Sequence, residues 1–248
     1  MGTTMTNDGV LPDAALYQLL TWSSPGYPTG AFSYSHGLEW AVETGSVTDL
    51  PTLLGYITAV LARGGGWVDA VLFAHAWRLA APNIPSAVSW ADDARAAALD
   101  DLSQLAAAFR GSAETALESR QQGGAFLDVT RKAWPHAELD AFAQRRANAP
   151  VAHCVVVALA CAAHNIALVP ALHSYLHAVA ANLVSAGARL IPLGQTQAQI
   201  AIAQLSPTIT EIVKHALTTN LDNLGTAAPL VEICSLRHET QYTRLFRS

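Results

Sequence analysis

Three groupings of side chains in this 248-residue chain have spacings that could do chemistry. His173 and His177 stand four apart, which on a helix puts both imidazoles on one face, where two ligands of one metal ion can sit. Cys154, Cys161 and His164 fall within ~80° of one another at the helical step, a soft-ligand cluster if the helix runs on through Asn165. No third ligand accompanies the histidine pair, and thiols in an Ala-rich run are expected as small core fillers. Gly64-Gly65-Gly66 lacks a following Gly-Lys-Ser/Thr and reads as a joint between helices, not a phosphate cradle. GxSxG, HExxH and GxGxxG signatures are absent, so no catalytic residue, metal ligand or cofactor site is assigned.

Three other segments are harder to explain as plain helix. Pro25 to Glu39 packs aromatics, hydroxyls and glycines at the start of a helix. Arg189-Leu190-Ile191-Pro192-Leu193-Gly194-Gln195 places one guanidinium after a long apolar stretch, where it needs paired acceptors such as helix C-terminal carbonyls. From Pro229 to Ser248 the chain interleaves Leu, Ile, Tyr and Phe with three arginines, a composition typical of interface cores. The segment from Leu236 onward is expected to be loosely held alone and to order on a partner. The opposing expectation is that it folds back as part of the body.

The elements that must position these segments read as helices throughout, with no strand: an all-α, single compact multi-helix bundle. A first helix is predicted from Asp13 to Trp22, then a second from Phe32 to Thr44 ended by Gly45. Thr48 is expected to cap a third, which closes at Gly64-Gly65-Gly66, and Trp67 to Leu79 forms a fourth. Ser86 opens a long helical region to Lys132 with breaks near Ser103 and Gly111. A short amphipathic helix follows from His136 to Arg146. Pro150 opens a central pair divided between Asn165 and Pro170. Separate helices are predicted from Gln195 to Leu205 and from Pro207 to Thr219, and Asn220 to Ser248 as irregular. The domain reading is a flexible 1–10, a helical body 11–225 and a partner-binding tail 226–248.

Hydrophobic residues make up 51% and charged residues 13% of the chain, against roughly 25% charged in typical domains. That excludes intrinsic disorder and leaves apolar surface for a partner, so self-association is expected. A net charge of −5 gives no basic footprint for nucleic acid. The three cysteines have no CxxC spacing, and the N-terminus shows no cationic start, so a reducing, cytoplasmic setting is expected. Between Ala147 and Ala188 there is no charged residue, but His153, His164, Asn165, Pro170, His173, His177 and Asn182 interrupt the run. Two buried helices are expected there, with no membrane partner.

The three segments also carry a resemblance. LLTWSSPGYPTGAFSYSHGLEWAVETGSV, ESRQQGGAFL at Glu118 to Leu127, ARLIPLGQTQAQ at Ala188 to Gln199 and SLRHETQYTRLFRS at the end stand in order along the chain. Together they resemble the UreF family of urease accessory proteins, with small departures at Gly124 and Ala198. The resemblance implies an all-α, cytoplasmic homodimer without a reaction of its own. It would bridge a UreG-like GTPase and a UreD/UreH-like accessory protein during GTP-dependent nickel insertion into apo-urease. Nickel and GTP then belong to the wider assembly. Phe32, Tyr34 and Glu39 are the expected GTPase contact. Arg237, His238, Glu239, Tyr242, Arg244, Leu245, Phe246 and Arg247 are expected at the UreD/UreH contact. Arg189, Pro192, Gly194 and Gln195 are motif positions without an assigned role. The alternatives are a GTPase-activating regulator that inserts an arginine or a nickel-binding chaperone.

Overall fold

The computed structural model describes residues 11–81 and 92–248. Among the described residues the chain is helical, with no strand. The helices are α1 (Asp13–Trp22), α2 (Leu38–Glu43), α3 (Leu50–Arg63), α4 (Gly65–Ala80), α5 (Asp92–Ala108), α6 (Ala113–Ala133), α7 (Ala137–Arg145), α8 (His153–Ala163), α9 (Leu168–Leu190), α10 (Gln195–Ala216) and α11 (Pro229–His238).

The core forms around α4 and α8. From Cys154 to Ala163 every residue of α8 is buried, as an all-apolar helix requires. Its central partner is α4, not the expected α9, because α9 is amphipathic and exposes Val169. On one side lie α3, α9 and α10; on the other α5, α6 and α7. The approach of α6 to α8 needs a glycine: a Cβ on Gly123 would stand 2.1 Å from the Val151 carbonyl oxygen. Leu50–Ala80 is apolar enough to cross a membrane by length and composition, but it is broken at Gly64 into two helices of the core.

Local chemistry moves several boundaries. The expected Phe32–Thr44 helix is a 3-10 turn at Ala31–Ser33 followed by α2, because His36 and Gly37 take positive φ of 54° and 74°. Asp49, not Thr48, caps α3: its carboxylate accepts the Thr52 amide at 3.0 Å and Thr52 Oγ1 answers to the Asp49 amide. Gly65, ahead of Trp67, opens α4. The break near Gly111 is real, whereas Ser103 lies inside α5; the Ser86 cap falls outside the described residues. Asn165 takes φ 57° and ends α8, while Pro170 sits in the first turn of α9, where its missing N–H leaves nothing unpaired. Gln195 to Thr219 is not two helices: α10 runs through Pro207, which is exposed, so the carbonyl it frees reaches water. The segment after Asn220 is not irregular either, since it holds α11.

Candidate functional site

Three carboxylates are buried at one end of the bundle. Glu39 comes from the first turn of α2, and Glu114 and Glu118 from one face of α6, a turn apart; their exposures are 7, 8 and 5%. A buried carboxylate requires partners, and the C-terminal segment supplies most of them. His238, the last residue of α11, is fully buried and bridges the first two, with Nε2 3.0 Å from Glu39 and Nδ1 2.7 Å from Glu114. Arg244 reaches the other Glu114 oxygen at 2.7 Å. The amides of Leu245 and Phe246 donate to the Glu39 carboxylate at 2.6 and 2.9 Å. Glu118 accepts from Gln122, from the Ser248 hydroxyl at 3.1 Å and from His36 at 3.0 Å.

Backbone pairing extends this clasp. Ser35 donates its amide and hydroxyl to the main-chain oxygen of Ser248, and the Arg247 amide donates to the Ser33 carbonyl at 2.8 Å. Glu239 accepts the Ala113 amide at 2.8 Å, one of the unpaired N–H groups at the start of α6. Ser112, the cap of α6, also meets Ser235 at 2.7 Å. Phe246 is 3% exposed, and the Arg189 guanidinium lies 4.3 Å above its ring while donating to the Phe32 carbonyl at 2.8 Å. Arg189 also bonds Ser185 O, one turn back within α9. All four quoted sequence segments therefore meet here, although Pro192, Gly194 and Gln195 lie exposed outside the clasp.

The loosely held tail expected from composition is not what the structure contains. His238, Arg244, Phe246 and the amides of Leu245 to Arg247 find partners within the same chain, and these contacts oppose the ordering cost of about 1–2 kcal/mol per residue. His238 and Phe246 face inward, whereas Tyr242 is fully exposed, Leu245 is 62% exposed, and Arg237, Arg244 and Arg247 reach the surface. Of the three N-terminal positions, only Phe32 is exposed; Tyr34 is buried with its hydroxyl on Gln121, and Glu39 anchors the tail.

The inner face of α11 walls a cavity of about 350 Å³ lined by His36, Asp69, Arg110, Glu118, His153 and Ser235 among others. Burial raises the Asp69 carboxyl, but Arg110 at 2.7 Å and the Tyr175 hydroxyl at 2.8 Å outweigh it and hold the pKa below the usual range. Burial lowers the His36 pKa, and the adjoining Glu118 carboxylate reverses this to a net rise. His153, packed between the rings of Phe126 and Tyr175, is pushed down to about 4 by burial, which keeps it neutral.

The candidate metal positions do not converge. Because α8 ends at Ala163, His164 turns to the Trp134 carbonyl and the Trp22 ring, away from a thiol cluster. His173 and His177 line an apolar groove between α1, α9 and α10. Among the described residues no three His, Cys, Asp or Glu side chains come together as a metal site.

Sequence reasoning missed Glu114 and the buried role of Glu118. Their signal was a carboxylate, carboxylate, glutamine series at 114, 118 and 122, a polar stripe on one helical face.

This architecture defines an all-α bundle closed by its own C-terminal segment over a buried polar cluster. The family model named UreF matches residues 47–206. A urease accessory protein UreF from Rhodopseudomonas palustris (strain BisB5) is 48% identical over 235 residues, covering 95% of this chain and 92% of that protein. The one from Granulibacter bethesdensis is 49% identical over 236 residues, covering 95% of each. The chain belongs to the UreF family.

Proposed function

We propose that the chain serves urease maturation as a non-catalytic scaffold. It would join a UreD/UreH-like accessory protein to a UreG-like GTPase while nickel passes to apo-urease. Nickel is cargo and GTP a substrate of the assembly. The observation that carries this reading is a tail with a fixed backbone and outward-facing anchors. Tyr242, Leu245 and Arg247 project from a segment pinned by the amides of Gln241, Leu245, Phe246 and Arg247, and α11 adds Leu230, Ile233 and Leu236, 76, 50 and 49% exposed. Anchors held on a rigid base lose little entropy on binding, and aromatic and Arg side chains are the residue types that dominate such contacts. Phe32, 66% exposed beside Arg189, favours the neighbouring surface for the GTPase.

Self-association is supported by a second surface. Leu16, Tyr17 and Leu20 of α1 are 46, 68 and 64% exposed, beside the groove that also includes Val169 and Ile202. Contiguous apolar surface of this kind marks an interface.

Co-purification with the UreD/UreH-like protein tests the main reading. The double variant Tyr242→Ala, Leu245→Ala removes exposed anchors without touching the clasp. It should lose the partner while keeping the wild-type melting temperature. Wild-type recovery of the partner with this variant and with Ile233→Asp would refute the assigned surface.

A further inference from the structure

Gly124 has no packing reason to be glycine. Its neighbour Gly123 is forced by the Val151 carbonyl, but a Cβ on Gly124 would meet nothing within 4 Å, and glycine inside a helix is destabilising relative to alanine. What Gly124 does is clear the floor of a groove of about 610 Å³ between α6 and α7.

Three arginines line that groove. Arg120 and Arg131 lie on either side of Gly124 along one face of α6, and Arg146 enters from the end of α7. Arg146 is 9% exposed, yet it donates only to neutral carbonyls, Pro150 O at 2.9 Å and Asp100 O at 3.4 Å. Its Nε has no partner, and the Asp100 carboxylate is occupied by Arg145 at 2.8 Å. Arg131 pairs with Asp140 at 2.6 Å. Arg120 is exposed and has no ion pair among the described residues. Counting Asp128 on the rim with Asp140, three guanidinium groups face two carboxylates, a local excess of positive charge on a chain of net charge −5.

We infer that this groove docks an extended acidic segment of a protein partner. Length selects a chain over a small anion. Eleven helical residues from Arg120 to Arg131 separate their backbones by about 16 Å, and the Arg131 guanidinium is held by Asp140, so it does not swing across to share one small anion with Arg120. Carboxylates four residues apart on an extended strand are about 13 Å apart and share a face, within reach of both arginines. The residue midway between them lies over Gly124 and the buried Leu127, and Asp128 disfavours a third acid there. The recognised pattern is therefore acid, apolar, acid at alternate positions. None of these groove residues belongs to the clasp, so the inference stands apart from the proposed tail contact.

The probe is a fluorescein-labelled, capped peptide Glu-Ala-Leu-Ala-Glu, titrated by anisotropy with the full chain at low ionic strength. Binding should saturate, weaken with added salt, and fall about tenfold or more for the Gln-Ala-Leu-Ala-Gln analogue. Arg120→Gln and Gly124→Glu should each weaken it comparably, and Tyr242→Ala should leave it unchanged. Arg120 is exposed, so its variant decides the matter if Gly124→Glu fails to fold. Absence of binding, equal binding of the glutamine analogue, or indifference to Arg120→Gln overturns the inference. Full displacement by inorganic phosphate at the peptide's own concentration also overturns it, in favour of a simple anion site.

Discussion

Gly37 and Ser235 touch through their backbones: a Cβ built on Gly37 would lie 2.5 Å from the Ser235 amide nitrogen and 2.7 Å from the Cys234 carbonyl carbon. Gly37 also has φ 74°, so Gly37→Ala adds left-handed strain to a steric conflict that only movement of α11 relieves. The variant should lose about 2–3 kcal/mol in urea unfolding, with faster proteolysis after α11. Unchanged stability and an intact tail would show that α11 does not depend on this contact.

His238→Ala should leave Glu39 and Glu114 as buried carboxylates without their bridge, costing about 3 kcal/mol or more. Combining it with Glu39→Gln and Glu114→Gln should recover part of that loss, because neither of the two side chains that His238 bridged then buries a charge. Deletion from Leu236 onward should likewise lower the melting temperature, and a truncated chain as stable as the whole would contradict the clasp. Thermal unfolding of the series measures both.

The cavity histidines act in opposite pH windows. His153 has its pKa lowered to about 4, against ~6.5 when unfolded. Between those values the unfolded chain takes up a proton that the native chain refuses, so stability falls as pH drops from 6.5, by up to roughly 3 kcal/mol. His36 is shifted up; its contribution is complete below ~6.5 and fades as pH rises through the folded value. Melting curves across pH should show His153→Phe flattening the acid limb and His36→Asn the alkaline one. Asn suits the second because it tolerates the left-handed backbone.

Leu20→Glu places a charge on the exposed face of α1 beside the groove shared with α9 and α10. If that groove joins two copies, light scattering at micromolar concentration should record half the wild-type mass with unchanged helicity. A wild-type chain that is already monomeric would refute the assignment.

Features written in neighbouring residues were legible in the sequence. Asp13 to Trp22 was bounded correctly by the Ser-Ser-Pro-Gly cluster, and the apolar run of α8 announced its burial. Pro207 misled because a proline's effect depends on whether its freed carbonyl meets water, which only tertiary structure decides. The clasp was unreadable for another reason: Glu39 and His238 are 199 residues apart, and no local pattern pairs them. Arg-aromatic composition in the tail suggested a contact surface, yet Phe246 and Arg244 serve a contact within the chain. Composition sets which residues can bind but not whose surface they meet.

The separation of Glu39 from Leu245, 206 residues, also sets an order of events in the cell. At about 5–20 residues per second, synthesis takes roughly 10 to 40 s to travel from one to the other. Throughout that interval the nascent chain carries α2 and, once made, α6 with their carboxylates in water and the seat of Phe246 open. Closure of so distant a contact is the last folding event available to the chain. A chain cut within α11 would therefore present the helical body with an unsealed end, a form that the whole chain hides.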